Sequence, residues 1–127
     1  MRALLIAWGC VLEACAGTPS RGILHSAAQP AAATINPFEG DERAKQAGAK
    51  LYARECAACH GPTLGGRGRA PSLNRAAVTH APPGALFWVL RNGSLNRGMP
   101  SFAHLPEAQR WQIITFLRAA ASHAPPE

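Results

Sequence analysis

Cys56-Ala57-Ala58-Cys59-His60 is the stretch on which the reading of this chain turns. Its pattern is C-x-x-C-H. On one turn of chain the two sulfurs can each add to a vinyl group of a porphyrin, leaving the histidine beneath the iron; this is the attachment pattern of c-type haem. Two other uses of the pair fit less well. A thioredoxin-like dithiol is expected beside a βαβ pattern, whereas the residues before Cys56 are rich in Ala, Lys and Arg with no alternating β-branched run. A structural zinc site takes four protein ligands, usually as two Cys/His pairs. Cys56 and Cys59 have no second pair, and His80 and His104 are far apart in sequence.

Working outward, Ala44, Ala47, Gly48, Leu51 and Tyr52 recur at helical spacing and predict a helix over about residues 41–56, capped by Asp41. Glycine inside a helix is unfavourable by roughly 1 kcal/mol against alanine. A close crossing with another backbone or ring is therefore expected at Gly48. A middle helix is predicted over about residues 83–91, with Phe87, Trp88 and Leu90 as its apolar content and Asn92-Gly93 as its stop. A last helix is predicted over about residues 106–120, with Pro106 at its first position. Ile113, Phe116, Leu117 and Ala120 form its inward stripe, widened by Trp111 and Ile114. A short helix is expected near residues 73–79. No strand pattern and no internal repeat appear, so the fold class is all-α.

Met99 lies in Arg97-Gly98-Met99-Pro100-Ser101-Phe102. A core-filling methionine is a common device, but it usually sits on a periodic apolar face. Between Gly98 and Pro100 a fixed backbone can instead aim the sulfur. On these residues the chain resembles the class I cytochromes c, over about residues 41–121. The resemblance rests on the C-x-x-C-H motif, on Gly48 and Tyr52 placed eight and four residues before Cys56, and on the Gly98-Met99-Pro100 loop. Ile113 and Phe116 look like the C-terminal partners of Gly48 and Tyr52. It implies a cytochrome c fold, with N- and C-terminal helices crossing around one covalently bound haem c. It further implies that Cys56 and Cys59 carry the haem and that His60 and Met99 are its axial ligands. The carbonyl of Pro71 would accept from the other ring nitrogen of His60, and Leu73 would pack on the haem face. Such an outer bond orients a ligand histidine and raises its basicity. His80 or His104 in place of Met99 would lower the potential.

The function implied is one-electron transfer between a periplasmic or membrane dehydrogenase and a terminal acceptor. With both axial positions filled there is no open site for a substrate, so no enzyme activity is expected. Two alternatives stand beside the carrier. One is a haem subunit of a larger oxidoreductase complex, because Trp88 to Ser94 and the Met99 loop look like small cytochromes acting beside bacterial oxidoreductases. The other is a haem sensor or peroxidase with a labile Met99. A dihaem peroxidase would need a second C-x-x-C-H, and the chain is short for a sensor's output domain.

The chain has 127 residues, which allows one small domain with appendages. Residues 1–15 contain one Arg and an apolar run from Ala3 to Leu12. The run is too short for a span, which needs about 20 residues, and suits an export signal. Two cleavage readings stand. Leu12-Glu13-Ala14-Cys15 resembles a lipobox that would lipidate Cys15 and anchor the protein to a membrane, although Glu13 departs from that pattern. Cleavage after Ala16 would instead release a soluble periplasmic protein. Residues 16–37, dominated by Ala, Pro, Ser, Gly and Thr, read as a flexible tether whose ends would lie on the order of 25 Å apart. Residues 38–123 would be the haem domain and 124–127 a tail. A domain of this size buries little core by itself, so the haem-free chain is expected to be poorly folded.

The formal net charge is +6. Between Glu55 and Glu107 there is no acidic side chain, yet Arg67, Arg69, Arg75, Arg91 and Arg97 all fall there. A bidentate arginine fork suits the haem propionates, and the remaining arginines would steer an acidic redox partner protein. Nucleic acid is not an expected partner, because lysine-rich or aromatic-interleaved binding patterns are absent. His25 and His123 have no assigned role.

Overall fold

The computed structural model describes residues 34–121. The export signal, Cys15, His25, His123, the tail and most of the tether lie outside the described residues. Among these the chain forms five α-helices: α1 (Glu42–Glu55), α2 (Ala57–His60), α3 (Ala76–Thr79), α4 (Pro83–Asn92) and α5 (Glu107–Ala121), with a 3₁₀ turn at Leu95–Arg97. The described residues hold two isolated bridges, Arg67 with Ala70 and Ser94 with Met99, and no strand. The all-α expectation holds.

Helix α1 starts where Asp41 can satisfy its free amide groups, accepting from Arg43 N at 2.8 Å and Ala44 N at 3.1 Å. Its buried face is Ala44, Gly48, Leu51 and Tyr52. That face meets α5, the most extensive contact between elements. A Cβ on Gly48 would lie 2.0 Å from the Gln112 carbonyl oxygen and 2.9 Å from Phe116 Cβ. No side chain fits there, which explains a helix-interior glycine. One turn on, the Tyr52 and Phe116 rings pack with centroids 5.4 Å apart. Behind them Ile113 and Ile114 are fully buried, and Leu51, Leu86, Leu90, Phe102, Leu105, Trp111 and Leu117 complete the core.

Two details differ from the sequence expectations. Pro106 precedes α5 rather than opening it; its carbonyl accepts from Gln109 N and Arg110 N, as a cap residue's carbonyl does. Asn36, placed in the tether by composition, is buried. Its Nδ2 donates to Thr115 Oγ1 at 2.9 Å, and its Oδ1 accepts from Phe38 N at 3.0 Å. A short polar strap therefore ties the segment before α1 onto α5. Replacing Thr115 with Val leaves the buried Asn36 amide without its acceptor. This should destabilise the domain by about 1–3 kcal/mol, read as a fall in melting temperature of roughly 4–8 °C per kcal/mol.

Candidate functional site

The α1 helix ends at Cys56, whose N–H still bonds Tyr52 O at 2.9 Å while its own φ of −121° leaves the helix. Helix α2 restarts at once, so Cys56, Cys59 and His60 lie on a single turn. Cys59 N and His60 N both bond back to Cys56 O, at 3.1 and 2.9 Å. Cys56 is buried and Cys59 exposed, and neither is bridged. Burial pushes the Cys56 thiol up to about 11, with the Glu55 and Cys59 charges adding to the rise.

After α2 the chain runs through a tight loop. Gly61 takes φ +78°, and its carbonyl accepts the Tyr52 hydroxyl at 2.6 Å, so the α1 face also fixes the exit from the motif. Gly66 N bonds His60 O at 2.8 Å and Leu73 N bonds Leu64 O at 2.7 Å. Leu64 adopts φ +65°, a left-handed conformation unfavourable for a branched side chain; burying its side chain and accepting from Leu73 offset that strain. This folding brings His60 and Pro71 together, with Nδ1 2.8 Å from the Pro71 carbonyl oxygen. A carbonyl can only accept, so Nδ1 carries the proton and Nε2 presents its lone pair. Leu73 is half-buried against the core.

Met99 is delivered by a separate loop held to the end of α4. Ser94 N bonds Met99 O at 2.9 Å and Met99 N bonds Ser94 O at 3.1 Å. Phe102 N donates to Leu90 O at 2.8 Å, and Ser101 Oγ donates to Arg91 O at 2.6 Å. These bonds satisfy carbonyls that every helix leaves free at its C-terminus. Gly93, at φ +70°, makes the approach feasible, because a Cβ there would meet Pro100 and Met99 backbone atoms at 2.6–2.7 Å. Met99 is half-buried and packs on the same core cluster that holds Cys56, as does Leu73. Gly93 and Ser94 fall in the Trp88–Ser94 stretch that carried the resemblance, but nothing in the sequence signalled that they and Ser101 hold the Met99 loop.

Burial pushes the Tyr52 hydroxyl up to about 12, the Cys56 charge adding to it. A group whose folded pKa exceeds its unfolded value of 10.0 holds the fold below that value and loses its contribution as pH rises. The domain's stability should therefore fall between about pH 10 and 12, and less so in Tyr52→Phe, as checked by melting curves across that range.

The donor set fits a covalently attached haem. Two unbridged thiols and an imidazole with Nδ1 tied back share one turn, with an apolar core beneath. Among the described residues no group of three or more His, Cys, Asp or Glu side chains could hold a metal ion by itself. His80 and His104 are exposed. Arg67, Arg69, Arg75, Arg91 and Arg97 are all exposed, and the ion pairs among the described residues are made by Lys45, Arg54 and Arg118 instead. No described helix is long and apolar enough to cross a membrane.

Comparison with known proteins agrees with this chemistry. Residues 43–117 match the family described as cytochrome c oxidase, cbb3-type, subunit III. Among solved structures the fold is similar to cytochrome cL from the marine methylotrophic bacterium Methylophaga aminisulfidivorans, with a TM-score of 0.57 and 23% sequence identity. The match covers 65% of this chain and 57% of that one. No curated protein matches.

Proposed function

The chain belongs to the family described as cytochrome c oxidase, cbb3-type, subunit III, and from that membership we propose a one-electron carrier whose haem is ligated by His60 and Met99. Covalent haem c is the cofactor of this family, and the chain carries its C-x-x-C-H motif at residues 56–60. When bound, the group supplies a one-electron Fe(III)/Fe(II) couple.

The observation that carries the ligand reading is the pairing of two pre-set donors. The Nδ1 bond to Pro71 orients His60 and makes Nε2 a stronger donor. The clamp on α4 presets the Met99 backbone, and its soft thioether favours the reduced form, raising the potential. Donors fixed in advance reorganise little between oxidation states, which favours fast transfer. Residues 38–123, with the Asn36 strap ahead of them, then form the haem domain. The five exposed arginines favour an acidic redox partner, encounter being faster when fields are complementary. Electrons would pass from a dehydrogenase to a terminal acceptor on the periplasmic side, with the domain tethered through lipidated Cys15 or released by cleavage near Ala16.

A second reading, a subunit of a larger oxidoreductase complex, is favoured by the oxidase named in the family description. Copurification from native membranes distinguishes the two. Protein voltammetry tests the carrier role itself. A single reversible one-electron couple with no sustained peroxide-reducing current is expected; such a current would favour a peroxidase with labile Met99.

Gly66 offers a check on the His60 geometry. At φ +81°, a Cβ there would lie 2.7 Å from both Ala70 O and Ser72 N. Gly66→Ala should displace Pro71, weaken His60 as a donor and raise the potential, by roughly 60 mV for each tenfold change in relative affinity for the two iron states. Pro71→Ala, which keeps the carbonyl, should change it far less.

A further inference from the structure

Arg110 is 7% exposed and begins the second turn of α5. Its side chain turns away from solvent into the loop that follows Met99. Nη1 donates to Leu105 O at 2.6 Å, Ala103 O at 3.2 Å and Phe102 O at 3.3 Å. The guanidinium carbon lies 4.9 Å from the centre of the Phe87 ring, which stacks on Trp111 at 4.3 Å. Nε is buried without a hydrogen-bond partner. The arginine is in none of the ion pairs among the described residues. Three carbonyl dipoles and an aromatic face take the place of a carboxylate.

A buried cation satisfied in this way is costly to place and would be unnecessary for packing alone. Its bonds all go to residues 102–105, the segment through which Met99 is joined to α5. The other end of that segment is held by Phe102 N on Leu90 O. Loop and helix are thus pinned from both sides, by α4 ahead and by α5 behind. A swing of this loop, the motion that carries the Met99 backbone away, would leave the guanidinium buried with its partners withdrawn.

We infer that Arg110 is a positioning residue that holds the Met99 loop closed and so suppresses exchange of Met99 for outside ligands. The inference rests on the reading of Met99 as the second axial ligand. The test is imidazole titration of the ferric, haem-loaded protein, since imidazole competes for the position a loosened Met99 would vacate. Arg110→Gln should bind imidazole roughly tenfold tighter or more, the scale of losing charge-assisted bonds. Arg110→Lys, which keeps the charge but not the fork, should shift the same way by a smaller factor and serves if Arg110→Gln does not fold. Thr115→Val, which weakens the fold at the distant Asn36 strap, should leave imidazole affinity unchanged. Imidazole affinity equal to wild type in both arginine variants, or an equal shift in Thr115→Val, would overturn the inference. Wild-type protein that binds imidazole as tightly as Met99→Ala would instead show that the ligand reading has failed, and this inference with it.

Discussion

Gly48→Ala should strongly destabilise the domain. The added Cβ would fall 2.0 Å from the Gln112 carbonyl oxygen, a backbone atom on a helix that cannot move away without dragging the core. Alanine favours an isolated helix by roughly 1 kcal/mol, so local propensity predicts the opposite sign. Overpacking typically costs 1–3 kcal/mol, and a clash between two backbones lies at or beyond the top of that range. Separating the helices would also open the Tyr52–Phe116 contact and uncover Ile113. A net loss of about 3 kcal/mol corresponds to a melting temperature lower by roughly 12–24 °C in a domain of this size. Calorimetry of the haem-loaded variant measures it. A melting temperature within a few degrees of wild type would mean that the crossing is not the keystone of the fold.

Met99→Ala should leave the fold largely in place and change the haem electronically. Met99 is half-buried, and its loop is held by backbone bonds that do not use the side chain. On the proposed His60/Met99 ligation, losing the thioether removes the ligand that favours Fe(II), so the potential should fall by on the order of 0.1 V or more within the ~0.8 V that axial ligation spans. The variant should also bind imidazole or azide readily. Unchanged potential and ligand affinity would assign the sixth position to another side chain, with His80 and His104 the first to test.

The helices and their crossing were legible because they rest on periodicity and on single-residue exceptions to it. Gly48 is conspicuous in the sequence because a glycine is unfavourable within a helix, and the structure supplies the Gln112 carbonyl that explains it. That Cys56, Cys59 and His60 share one turn was legible because their spacing dictates it. The loops were not. The clamp on Met99 depends on which helix-end carbonyls of α4 lie within reach of Ser94, Ser101 and Phe102, a tertiary fact with no period in sequence. The left-handed Leu64 runs against residue preference and is held by its surroundings. Arg110 and Asn36 read as surface residues by type, yet both are buried because they satisfy otherwise unpaired backbone or side-chain groups. Composition marked residues 34–37 as tether for the same reason: a single well-placed amide does not alter an average.

The central claim is that a haem attached at Cys56 and Cys59 is ligated by His60 and Met99. The most direct measurement is the visible and near-infrared spectrum of the protein exported with haem-maturation machinery, oxidised and reduced. A covalent low-spin c-type spectrum with a sulfur-to-iron charge-transfer band, lost in Met99→Ala, is the predicted result. Covalent haem without that band would contradict the ligand assignment, and no covalent haem would contradict the reading of residues 56–60 itself.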